Sequence, residues 1–233
     1  MSNDASTEKK ARATHALIFE LEYVATEART VQYEAIKGAI AGKGVELTPI
    51  LFARSGMSPL NRAAITDVLE RAGKKTDAIE KAVAEVDKAM VEFYVNAATL
   101  DKGLENMIKA TQARSIPVLA FTTLPKDLAR KLMNRLGLDE MGVELVIPEE
   151  VKESFPRADD WLKMLKQCNK ENVTLVALVS SQVACKGALT AGAACVVIPD
   201  QFTQCQDFGG AMLVLDALAD EKPDAILDMT LRM

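Results

Sequence analysis

Histidine occurs once in the 233 residues, as His15, and tryptophan once, as Trp161. A single imidazole excludes any mechanism that passes protons between two histidines, and it deprives a metal centre of its commonest nitrogen ligand. Hydrolysis in this chain would have to run through carboxylates. Cysteine is also sparse. Cys168, Cys185, Cys195 and Cys205 all lie in the last third, without the C-x-x-C spacing of a zinc or redox site, so they read as reduced packing residues. No apolar run approaches the roughly 20 residues that span a bilayer, and the polar start MSNDASTEKKARAT lacks the apolar stretch of a signal peptide. The sequence therefore reads as cytoplasmic, with no membrane partner. Basic charge is in deficit: 28 Lys and Arg stand against 33 Asp and Glu, a formal net charge of -5. That balance offers no electrostatic footprint for nucleic acid.

What is present is a core-forming composition, 49% hydrophobic and 26% charged, arranged in an alternating pattern. Residues 1–13 read as a disordered polar tail. The run Ala16-Leu17-Ile18-Phe19 has the length and composition of a buried strand and ends in Glu20-Leu21-Glu22. From about Thr26 to Ala98 the apolar spacing is helical, in Val31, Ala35 and Ile36, then Ala64, Ile65, Val68 and Leu69, then Ile79, Val83, Val86 and Met90. Beyond Leu100 helices expected at 104–113, 126–136, 159–168 and up to 191 alternate with short apolar runs at 117–121, 143–147, 174–179 and 195–198. Short apolar runs alternating with helices of about a dozen residues mark parallel strands joined by right-handed crossovers. The expected fold is α/β, a doubly wound, mainly parallel sheet formed by 14–29 and 97–233, with 30–96 inserted as an all-helical cap. In such sheets ligands bind beyond the carboxyl ends of the strands. Four strand-end groups stand out: Glu20 with Glu22, Thr122 with Thr123, the turn Phe155-Pro156-Arg157, and Ser180 with Ser181.

These segments resemble the haloacid dehalogenase superfamily. ALIFELEYVATEA resembles its first motif, where an apolar strand delivers Asp-x-Asp. VLAFTTLPKDLARKLMNRLGL is similar to the second motif, a strand ending in Thr or Ser. FPRADDWLKML resembles the segment carrying the third, and VALVSSQVACKGALTAGAACVVIPD the fourth. QYEAIKGAIAGKGVELT with FARSGMS is similar to the helical cap of the β-phosphoglucomutase and phosphoglycolate phosphatase branch. IPDQFTQCQDFGGAMLVLDAL is similar to the branch holding xylulose-1,5-bisphosphate phosphatase.

The resemblance implies a Rossmann-like core and a phosphatase site, but the chain departs from it at the chemistry. Glu20 stands at the position of the attacking Asp and Glu22 at that of the acid/base Asp. Phe155 falls where the family carries a Lys, and Val179 and Ser180 where it carries the acids that hold Mg²⁺; only Thr122 keeps its family identity. The resemblance so implies phosphate contacts at Thr122, Thr123, Ser180 and Ser181, with Arg54, Lys126, Lys186 or Arg157 as replacement cations. A plainer reading makes Glu20 and Glu22 exposed carboxylates paired with a cation such as Arg54, and the Thr and Ser pairs caps of the helices that follow. The expected function is a degenerate phosphatase homologue that binds a phosphorylated metabolite or a protein partner. The alternatives are a weak or altered sugar-phosphate phosphatase, with Glu20 as nucleophile, and a structural, oligomeric subunit with a vestigial site. No cofactor or metal is expected, Mg²⁺ entering only if the chain is an active enzyme.

Overall fold

The computed structural model describes residues 15–55, 57–147, 161 and 173–231. The expected tail 1–13, the helix expected at 159–168, Phe155, Arg157 and Cys168 lie outside the described residues. Six strands, β1 (His15–Glu20), β2 (Val118–Phe121), β3 (Glu144–Val146), β4 (Thr174–Val179), β5 (Ala194–Val197) and β6 (Leu213–Val214), form one sheet in the order β3-β2-β1-β4-β5-β6. Every adjacent pair is parallel. Parallel strands are buried on both faces, which explains why β1, β2, β4 and β5 are written in nearly unbroken apolar residues.

Side chains alternate across a strand, so the two faces of β1 go to different cores. Leu17 and Phe19 join a large cluster with the helices on one face, while Ala16 and Ile18 join a second cluster with Trp161, Ala184, Cys185 and Ala188 on the other. Trp161 is buried and tilted against Phe121, their ring centroids 5.5 Å apart, so it packs the core as its size suggests.

Between β1 and β2 the chain forms α1 (Ala28–Ile40), α2 (Pro49–Ser55), α3 (Asn61–Arg71) and α4 (Glu80–Glu92), followed by a π-helical turn, Phe93–Ala97. No strand occurs among the described residues of this stretch. After it come α5 (Lys102–Ala113), α6 (Lys126–Arg135), α7 (Gln182–Thr190) and α8 (Pro223–Thr230). The Asp101 carboxylate accepts from Leu104 N–H at 2.8 Å and starts α5, and Ser181 accepts from Ala184 N–H at 3.3 Å and starts α7. The short elements β6, α2 and α8 go beyond the sequence pattern; two residues of strand, or seven of helix, leave too little periodicity to read.

Strand order reverses at β1: β2 and β3 build outward on one side, and β4, β5 and β6 on the other. The connections leaving β1 and β4 therefore diverge, opening a crevice beyond their carboxyl ends. In the loop after β5, Phe202 packs against both Tyr33 of α1 and Phe52 of α2, with centroids 5.1 and 4.8 Å away, and Tyr33 lies 5.3 Å from Phe52. This trio ties the helical stretch to the sheet. Phe202→Ala is expected to destabilise the protein by about 3–5 kcal/mol in urea unfolding, the usual range for a fully buried aromatic; a loss below about 1 kcal/mol would refute the anchoring role.

Candidate active site

Glu20 is the last residue of β1 and Glu22 lies in the turn that follows. Three hydrogen bonds fix the turn: Val24 N–H donates to Glu20 C=O at 3.0 Å, Thr26 Oγ1 to Glu22 C=O at 2.6 Å, and Leu21 N–H to Phe121 C=O of β2 at 2.7 Å. Both carboxyl groups point into protein, at 1% and 3% exposure. The reading of two exposed carboxylates paired with Arg54 is thus wrong. The connections after β2 and β4 rise beside β1 and cover its end, whereas Arg54 sits exposed on α2.

Glu20 is held by the connection after β4. Ser180 donates to Glu20 Oε2 twice, from its backbone N–H at 2.7 Å and from its hydroxyl at 2.6 Å. The Ser180 hydroxyl in turn accepts from the Arg29 guanidinium at 3.0 Å, and a second Arg29 nitrogen forms an ion pair with Asp200 from the loop after β5. Glu20 Oε1 is buried with no hydrogen-bond partner among the described residues. Ser180 is therefore a bridge between Glu20 and Arg29 and no helix cap; Ser181 is the cap.

Glu22 is held by the connection after β2. Its Oε1 accepts from Thr122 Oγ1 at 2.8 Å, Thr123 N–H at 3.1 Å and Thr123 Oγ1 at 3.3 Å. Neither threonine caps α6, whose N-cap residue is Pro125 and lacks a side-chain cap bond; Thr122 Oγ1 instead accepts from Leu124 N–H at 3.0 Å within the connection. The hydroxyls of Thr122, Thr123 and Ser180 thus all reach the Glu pair.

Burial governs the electrostatics. It raises the Glu20 carboxyl from its ordinary value, against the opposing pull of the Ser180 bonds and the Arg29 charge. It raises Glu22 to about 7, against the Thr122 and Thr123 bonds that favour its ionised form. The Tyr23 hydroxyl beside them is raised as well, chiefly by burial.

The crevice above this network has a volume of about 680 Å³ and is lined in part by Arg29, Arg54, Arg71, Ser181 and Gln206. Of the cations expected from sequence, Arg54 reaches this crevice; Lys126 is exposed at the start of α6, and Lys186 is exposed on α7, 3.9 Å from Asp207. Arg29 and Asp200 are the residues that sequence reasoning missed. Arg29 falls on the buried stripe of α1 with Tyr33, Ile36 and Ile40, and an arginine in phase with an apolar stripe is a signal for a buried partner. Asp200 ends the apolar run of β5, so the strand-end rule already leads to it.

The network does not fit Mg²⁺, which wants several hard oxygen ligands in octahedral array. Ser180 and Val179 are neutral, Glu20 Oε2 already accepts two bonds, and Asp200 is committed to Arg29. Among the described residues no group of three or more His, Cys, Asp or Glu is placed to hold a metal ion.

No family model matches the chain. A curated relative, the plasmid protein CbbY of Cupriavidus necator, is 27% identical over 218 residues, which cover 88% of this chain and 86% of that one. Among solved structures, a CbbY variant from Rhodobacter sphaeroides in complex with xylulose-(1,5)bisphosphate superposes with a TM-score of 0.67 at 22% identity, covering 88% of this chain and 95% of that one. A haloacid dehalogenase-like protein of unknown function from Agrobacterium tumefaciens reaches a TM-score of 0.72 at 16% identity, with 92% and 98% covered. The fold is that of the haloacid dehalogenase superfamily, and the CbbY likeness supports the branch that the sequence resembles.

The raised carboxyl groups set the sign of the pH dependence. Between pH 4.5 and about 7 the unfolded chain releases the Glu22 proton while the folded protein keeps it, so stability falls as pH rises and levels off above the folded value, a loss on the order of 3 kcal/mol. Glu20, shifted in the same direction, adds to the loss. Urea unfolding is expected to give a more stable protein at pH 5 than at pH 8, and Glu22→Gln, which keeps an accepting oxygen but has no proton to lose, is expected to shrink the difference. A stability that rises from pH 5 to pH 8 would mean that both carboxyl groups are ionised in the fold.

Proposed function

We propose that this chain is a haloacid dehalogenase-type homologue that has lost phosphoester hydrolysis and binds a phosphorylated metabolite in the crevice lined by Arg29, Arg54 and Ser181. The observation that carries the reading is the state of Glu20. A carboxylate nucleophile needs an ionised oxygen free to reach phosphorus in line. Burial favours the protonated form of Glu20, Ser180 occupies its Oε2 with two hydrogen bonds, and its Oε1, though unpartnered among the described residues, is buried and does not line the crevice. The longer side chain compounds the fault, since a misplacement of about 1 Å can cost roughly 10²-fold in rate.

The hydroxyls that would meet a phosphoryl group are turned inward on Glu20 and Glu22. Contact with an anion falls instead to groups at the crevice wall: Arg54 and Arg71 from the helical stretch, and Ser181 at the N-terminus of α7. In this arrangement the helical stretch acts as a cap that supplies ligand contacts. The CbbY complex makes sugar phosphates the first ligands to try.

One observation favours the altered-phosphatase reading. Glu22, with a pKa of about 7, is matched to proton transfer at neutral pH. A phosphate-release assay on C2 to C6 sugar phosphates with Mg²⁺ separates the two. No release above background is expected from the wild type or from Glu20→Asp, because shortening the nucleophile leaves Ser180 and Arg29 in place. Calorimetry is expected to show sugar-phosphate binding that Arg54→Gln weakens about tenfold, the loss of one charge-assisted contact. Turnover on the order of 1 s⁻¹, abolished by Glu20→Gln, would reach ordinary enzyme rates and overturn the reading.

A further inference from the structure

We propose that Arg29 is the resident cation of the crevice, a guanidinium built into α1 where the fold's phosphatases recruit a divalent ion, so that a phosphate group binds here without metal. This deepens the binding reading above, but its test reads affinity and metal dependence rather than hydrolysis, so the two fail separately.

The geometry has three parts. Arg29 is 3% exposed, yet it lines the crevice. One of its nitrogens donates to the hydroxyl of Ser180, the position that the fourth motif assigns to a metal-holding acid. Replacing an acid by serine there removes a negative charge and leaves a neutral acceptor suited to an N–H donor. Another nitrogen pairs with Asp200, whose second carboxylate oxygen is pinned by Phe202 N–H at 2.8 Å. Finally, the Arg29 guanidinium carbon lies 4.2 Å from the centroid of the Tyr23 ring, a cation–π contact that favours a weakly hydrated cation over a strongly hydrated one.

The charges balance as they would around a metal. A divalent ion neutralises two carboxylates; here one guanidinium pairs with one carboxylate, Asp200, beside a Glu20 that burial drives toward its neutral form. Guanidinium matches the oxygens of phosphate in a planar fork and keeps its charge at every physiological pH. Its pairing with Asp200 makes the carboxylate an internal competitor for the anion. A merely structural ion pair, tying the loop after β5 to α1, would predict no competition of this kind.

The test is calorimetric titration with inorganic phosphate in EDTA and again in Mg²⁺, on the wild type, Asp200→Asn and Arg29→Met. The wild type is expected to bind phosphate equally well in both buffers. Asp200→Asn keeps Arg29 and removes its competitor, so phosphate affinity is expected to rise about tenfold, still without metal. Arg29→Met is expected to lose binding. Should Arg29→Met fail to fold, Asp200→Asn decides alone. Binding that requires Mg²⁺, an Asp200→Asn protein with unchanged or weaker phosphate affinity, or no phosphate binding by any variant would each overturn the proposal.

Discussion

A carboxyl group at the covered end of a central parallel strand must be either neutral or fully partnered, because an isolated buried charge is far too costly to persist. Glu20 is in that position, and the surrounding structure answers the constraint partly by each route, leaving Oε1 unpartnered among the described residues. Ser180 supplies two donors to one oxygen, burial favours the proton on the group, and Arg29 approaches through the serine hydroxyl rather than directly. The same constraint recurs two residues on, where three donors from Thr122 and Thr123 converge on one oxygen of Glu22. Groups that elsewhere would face a ligand are here spent on the protein's own acids.

The helical stretch and the sheet are not independent bodies. Tyr33, Phe52 and Phe202 belong to one hydrophobic cluster with Leu17 and Phe19 of β1, and the Arg29–Asp200 pair spans the same junction from α1 to the loop after β5. A ligand entering the crevice therefore meets a wall whose position is set by packing. Arg54 and Arg71 line that wall from the helices, α2 and α3.

Much of the fold was legible because parallel strands buried on two faces are written in continuous apolar residues, and the runs around Leu17, Leu119 and Leu178 needed no tertiary information. Glu20, Glu22, Thr122 and Ser180 were legible as a group for the same reason: strand ends converge in a doubly wound sheet. Their burial was not, since a Glu beyond a strand looks exposed until the loops beside it are placed. Arg29 was hidden by convention, because an arginine on a helix is ordinarily solvated, and only its phase with Tyr33, Ile36 and Ile40 betrays it. The caps were misassigned for a subtler reason. Thr122, Thr123 and Ser180 have the composition of N-caps, but their hydroxyls are placed to donate to buried carboxylates and away from the helix N-termini.

The bonds that close this network join residues far apart in the chain: 100 positions separate Glu22 from Thr122, 160 separate Glu20 from Ser180, and 171 separate Arg29 from Asp200. A ribosome releases the chain from its N-terminus, so β1 and its two acids emerge long before any of their partners. Until then Glu20 and Glu22 are solvated, ionised and compatible with an open strand edge. Their burial, and with it the upward shift of both carboxyl groups, belongs to the end of folding, when the segments around 122, 180 and 200 arrive in turn.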